Sequence, residues 1–122
     1  MAKNLTKAFT VYNTQTNEET FKVQGNGNVY ATKVLVRSTP FPDYVFEKDY
    51  ELMSLYKLEE YIEINKRLPN MPKAEEVEKD GADLGEINRI LVQKTEELTL
   101  YMIALKKELD NLKQEMESLK KQ

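Results

Sequence analysis

Four pairs of adjacent acids, Glu18-Glu19, Glu59-Glu60, Glu75-Glu76 and Glu96-Glu97, are the first residues to weigh for chemistry. Convergent carboxylates can hold a cation or share a proton as acid and base. Neighbouring carboxylates on a helix point to different sides, however, and without apolar enclosure they predict a solvated face. Ser54 and Lys57 have the composition of a self-cleaving Ser–Lys dyad, but a helix N-cap followed by an exposed lysine accounts for the pair better. Gly25-Asn26-Gly27-Asn28 has neither the helix nor the lysine that a phosphate loop needs after it. The chain has no histidine and no cysteine. That removes disulfides, zinc-type sites, Cys and Ser–His nucleophiles and the commonest general base. The expectation is a protein with no catalytic, cofactor-binding or metal-binding residues, and no enzyme.

If the chemistry is not catalytic, the elements themselves carry the information. The 122 residues leave room for one modest domain and a long helix, not for two full cores. A net charge of −3 argues against nucleic acid or an anionic membrane surface as partner. No apolar run approaches the roughly 18–20 residues that span a bilayer, so no membrane insertion is expected. The Met1-Ala2-Lys3-Asn4 start is too polar for a signal peptide.

Leucines recur every seventh residue at Leu84, Leu91, Leu98, Leu105, Leu112 and Leu119. A seven-residue repeat drifts off one face of a straight helix and keeps one seam only when the helix coils around partners. With these leucines at d, the a positions are Asn88, Thr95, Met102, Leu109 and Met116. At g and e, Glu108 reaches towards Lys113, and Glu115 towards Lys120, of a neighbouring chain, which suits parallel pairing in register. A leucine-zipper transcription factor would need a basic helix ahead of the heptads, and Glu75 to Glu86 is acidic. The seam alone permits a dimer or a trimer.

Residues 1–37 read as a β-stranded shaft. Phe9 and Val11, then Phe21 and Val23, then Tyr30, Thr32, Val34 and Val36 alternate with their neighbours, separated by a polar stretch at 13–18 and by the Gly-Asn turn at 25–28. Three such strands are marginal alone. Three chains close them into a protected three-sided prism more easily than two chains can, which favours a homotrimer.

Residues 38–83 read as a connector or knob. Pro40 and Pro42 break strand pairing around Phe41, and Tyr44-Val45-Phe46 is expected as a short strand or extended segment. Ser54 caps a helix over about 55–66, Leu68-Pro69-Asn70-Met71-Pro72 is extended, and a short helix over 73–80 ends at Gly81. Asp83 and Glu86 then open the long helix of 84–122 in the manner of a capping box. Between Ile87 and Leu105, apolar residues lie off the seam at Ile87, Ile90, Val92, Leu100, Tyr101 and Ile103. Such a wide apolar face has to be covered. The expected cover is the helix near 55–66 together with Phe41, Tyr44 and Phe46, leaving the last two heptads bare. Asn88 and Thr95 then fit a collar that fixes register, although Asn88 is equally compatible with solvent.

Taken in order, Phe41-Pro42-Asp43-Tyr44-Val45-Phe46, Tyr50-Glu51-Leu52-Met53-Ser54-Leu55, Leu68-Pro69-Asn70-Met71-Pro72, Leu84-Gly85-Glu86 and Glu96-Glu97-Leu98-Thr99-Leu100-Tyr101 resemble a C-terminal module of Bacteroidota and bacteriophage proteins described as tail-fibre-like or cell-wall-anchor-like. The resemblance covers about residues 29–112. It implies an α+β fibrous fold: intertwined strands in a trimeric β-prism, a small α-helical knob, and a long C-terminal helix in a parallel trimeric coiled coil. It brings no catalytic or metal residues. It implies a place on a virion tail fibre or a bacterial cell surface, and the missing long repeat region implies a fragment or a very short fibre. Three roles follow as expectations: a trimerisation and assembly module, an adhesin tip binding a surface glycan or protein receptor through Tyr44, Tyr50, Tyr56 and Tyr61, or an intramolecular chaperone for fibre folding.

Overall fold

A computed structural model describes residues 6–122 of the chain. The polar start at residues 1–4 lies outside the described residues. The rest forms two compact units, one ending at Val36 and the other spanning Arg37–Gln122.

The first unit is an antiparallel meander of β1 (Lys7–Asn13), β2 (Glu18–Gln24) and β3 (Val29–Ala31). Asn13 Oδ1 accepts from the backbone N–H of Gln15 at 2.9 Å and Asn17 takes φ 58°, which closes the first turn. Gly27 at φ 92° and the Asn26 side chain, accepting from the Asn28 N–H, close the second. Register places Phe9 opposite Val23, Val11 opposite Phe21 and Val23 opposite Val29, so one face of the sheet is apolar. Phe9 and Phe21 meet edge to face at 6.1 Å. The opposite face is ionic: Glu19 binds Lys7 at 2.8 Å and Lys22 at 3.1 Å, and Lys22 lies 4.6 Å over the Tyr30 ring.

The third strand is shorter than the alternation from Tyr30 to Val36 predicts. With Ala31 opposite Phe21, continued pairing would set Val34 against Glu18, and Leu35 and Val36 against Asn17 and Thr16 of the first turn. Only Leu35 and Val36 would run past the start of β2 at Glu18; the pairing stops sooner, with a last backbone bond from the Thr32 N–H to the Thr20 carbonyl at 3.1 Å, and Val34, Leu35 and Val36 are exposed.

The second unit contains a 3-10 turn at Pro42–Phe46 and the helices α1 (Leu55–Asn65), α2 (Ala74–Asp80) and α3 (Leu84–Lys120). The caps follow the sequence. Ser54 Oγ accepts from the Lys57 N–H at 3.3 Å, Asp83 Oδ1 accepts from the Glu86 N–H at 2.9 Å, and Gly81 ends α2 at φ 80°. The left-handed Lys66 ends α1. With 37 residues, α3 extends about 55 Å.

Two expectations for the connector need correction. Tyr44-Val45-Phe46 is neither a strand nor extended: Pro42, with φ preset for a helical start, initiates a 3-10 turn instead. That turn, and not α1, is the element packed on α3. Its anchors are the buried Pro42 and Val45, while Phe41 and Phe46 remain exposed.

Candidate functional site

Helix α3 has two faces with opposite fates. The a and d residues, Leu84, Asn88, Leu91, Thr95, Leu98, Met102, Leu105, Leu109, Leu112, Met116 and Leu119, are all exposed in the single chain. Nine of these are large and apolar, along the whole length of the helix. Contiguous exposed apolar stripes of this extent are uncommon on soluble monomers. The Thr95 hydroxyl donates to the Leu91 carbonyl at 2.9 Å, so its polar group is already satisfied if the stripe is covered. Asn88 is exposed, and its amide has no partner among the described residues. The flanking Glu108, Lys113, Glu115 and Lys120 make no ion pair among the described residues, whereas Lys106 binds Asp110 at 2.8 Å.

The opposite face, at positions c, f and g, is clamped by the connector. Ile90, Gln93 and Lys94 are buried there. Glu97 is the centre of the clamp. Tyr50 Oη donates to its Oε1 at 2.5 Å, Gln93 Nε2 donates to the same oxygen at 3.3 Å, and Lys94 Nζ binds Oε2 at 3.1 Å. Gln93 Nε2 also donates to Tyr50 Oη at 3.1 Å. Side-chain exposures of only 10% for Lys94 and 14% for Glu97 make this pair interior rather than superficial. Tyr101 Oη donates to the Met53 carbonyl, which ties the chain just before α1 to position g. Arg89 grips Glu86 through two nitrogens, at 2.5 and 3.0 Å, and donates to Tyr44 Oη at 3.3 Å. The Tyr44 and Tyr50 rings lie 5.9 Å apart.

Electrostatics follow from this burial. Burial first, and the Glu97 carboxylate second, push the Tyr50 hydroxyl up to about 12. Tyr101 shifts the same way for the same two reasons. Arg89 holds Glu86 below the usual carboxylate range. Glu96 is raised, first by burial and then by the Asp43 carboxylate of the 3-10 turn, and its Oε2 is buried without a hydrogen-bond partner.

The acid pair Glu96-Glu97 is therefore not the solvated face that its sequence predicts. The enclosure comes from the 3-10 turn, whose Asp43 faces Glu96, and from Tyr50 just after it, which binds Glu97. Gln93, Glu97 and Tyr101 recur every fourth residue on one side of α3, and that spacing was the available signal for the clamp. Of the four tyrosines considered for receptor contact, Tyr44 and Tyr50 are engaged in the clamp, Tyr61 is half-buried, and Tyr56 is 87% exposed. Ser54 serves as the cap of α1.

Among the described residues, no helix is long and apolar enough to cross a membrane. Neither a family model, nor a curated protein, nor a solved structure matches the chain.

Proposed function

We propose that this chain is a structural trimerisation and assembly module whose working surface is the a/d stripe of α3. The observation that carries the reading is the division of one helix: every a and d position is open while the connector covers the reverse side. A lone surface helix would bury its apolar stripe and expose its polar one. Here the covered side holds Ile90 together with the polar Gln93, Lys94 and Glu97, and the apolar stripe is left for other copies. The unpaired Glu108, Lys113, Glu115 and Lys120 flank it in the order that parallel, in-register chains satisfy.

Three copies account for the β unit better than two. Its apolar face keeps Phe9, Val11 and Val29 exposed, and Val34-Leu35-Val36 lacks a strand partner. In a trimer these groups would form an intertwined prism with a shared core and no free edges. The setting, the C-terminal end of a fibre on a phage tail or bacterial surface, rests on the resemblance of the quoted motifs. Adhesion to a surface glycan or protein is the second reading, with the exposed Tyr56 ring as its contact; three such contacts around one axis would sum through avidity. Sedimentation equilibrium of the chain at micromolar concentration tests the main reading. A mass of three chains is expected, and a monomer or dimer rejects it.

A further inference from the structure

Helix α1 carries an apolar stripe that its own chain covers on one side only. Leu55, Leu58 and Ile62 fall within about 60° around the helix, and Tyr61 lies beyond Leu58. Leu58 and Tyr61 are half-buried, whereas Leu55 and Ile62 are exposed. Glu59 and Glu63 border this open side, and neither has an ionic partner among the described residues. A helix of 11 residues is too short to hold itself in water, and none of its residues is buried.

A matching surface stands on α3. Ile103, at position b, is a large apolar residue outside the a/d stripe, and it is exposed. Among the described residues, Lys107, one turn later, has no ionic partner, and Lys106 beside it has only the exposed Asp110. Around a heptad helix, b adjoins e on one flank while c adjoins g on the other. In a parallel pair, the g flank of one chain abuts the e flank of the next. The Tyr101–Met53 hydrogen bond anchors the start of α1 on the g flank. In register, Ile103 of the neighbouring copy stands only about 3 Å higher than Tyr101.

We infer that α1 docks on the α3 of a second copy, with Leu55 and Ile62 against Ile103 and with Glu59 and Glu63 beside Lys106 and Lys107. The inference rests on the parallel self-association proposed above. Each chain then clasps its neighbour, and the clasp gives the bundle a direction around its axis.

The absence of cysteine makes disulfide mapping direct. Chains carrying Ile62→Cys are mixed with chains carrying Ile103→Cys, refolded together and oxidised, and the linked peptides are identified by mass. A Leu112→Cys chain reports parallel in-register pairing separately, since d residues meet across the bundle. The expected result is a shift of the mixed chains to a cross-linked dimer band containing the 62–103 peptide. If Leu112→Cys cross-links but 62 and 103 do not, or if a double variant links them only within one chain, the clasp is overturned and self-association stands. If Leu112→Cys fails as well, both readings fall. Hydrogen exchange on the unmodified chain is independent of the substitutions: α1 amides should be protected in the assembly and lose that protection on dilution to monomer. Unchanged exchange on dissociation overturns the clasp.

Discussion

Truncating Leu98 and Leu105 to Ala separates a solitary helix from an assembled one by the size of the loss. In the single chain Leu98 is 60% exposed and Leu105 is 52% exposed. Full burial of a leucine is worth about 1.5–3 kcal/mol, so a solitary chain has less than half of that to lose at each site, about 1 kcal/mol. Alanine's better helix propensity returns a few tenths. Three chains closed around the stripe bury both residues completely, and each truncation then costs about 2–5 kcal/mol per chain. One site, repeated three times, totals about 6–15 kcal/mol for the trimer. At about 1.4 kcal/mol per decade, even the lower figure shifts the assembly constant by roughly four orders of magnitude. Sedimentation equilibrium, together with melts by circular dichroism over a hundredfold concentration range, reads this directly, because only an assembly melts in a concentration-dependent way. A double variant that keeps the wild-type mass and melting temperature, or a wild type whose melting ignores concentration, would refute the reasoning.

Truncation after Ile103 should abolish assembly by sedimentation, since it removes Leu105, Leu109, Leu112, Met116 and Leu119, a part of the stripe that is apolar at every a and d position. Tyr50→Phe should cost about 1–3 kcal/mol in thermal or urea unfolding, because the interior Glu97 carboxylate loses a donor. The same variant should flatten the alkaline limb of the stability profile. Tyr50 keeps its proton up to about 12 in the folded chain, so its contribution is full below 10 and is lost as pH rises towards 12. Glu96→Gln should raise the melting temperature at pH 7. The folded chain favours a protonated Glu96, a preference met only at low pH, so the variant's advantage should shrink as the wild type is acidified through the carboxylate range. An advantage that grows on acidification would reverse the sign and exclude burial beside Asp43 as its cause.

The legible parts of this chain are those governed by local rules. Ser54, Asp83 and Gly81 mark helix ends by side-chain geometry or backbone freedom that a few neighbouring residues decide. The leucine repeat from Leu84 to Leu119 gives the long helix and its exposed stripe without reference to any other element. What sequence missed depends on long-range partners. Whether Glu97 is solvated or interior turns on where Tyr50 lands, 47 residues earlier in the chain. The switch of Tyr44-Val45-Phe46 from extended to 3-10 turn follows from Pro42, a residue as compatible with a strand break as with a helical start. The early end of β3 has no counterpart in the alternation from Tyr30 to Val36: pairing stops at Ala31 opposite Phe21 although β2 begins at Glu18.

The division of α3 also implies an order of events on the assembly reading. The clamp of Tyr50, Gln93, Lys94 and Glu97 is made within one chain and needs no partner. It holds the first half of the helix while the stripe on the other side is still empty, so part of the ordering entropy is spent before chains meet. Beyond Leu105 the helix has no such support: every residue there is exposed, and the stripe narrows to the a and d positions. That half gains protection only from other copies. Association should therefore begin along the clamped collar, where the stripe is already presented in helical geometry, and close towards Leu119, with the unpaired charges from Glu108 to Lys120 checking the register as they come together.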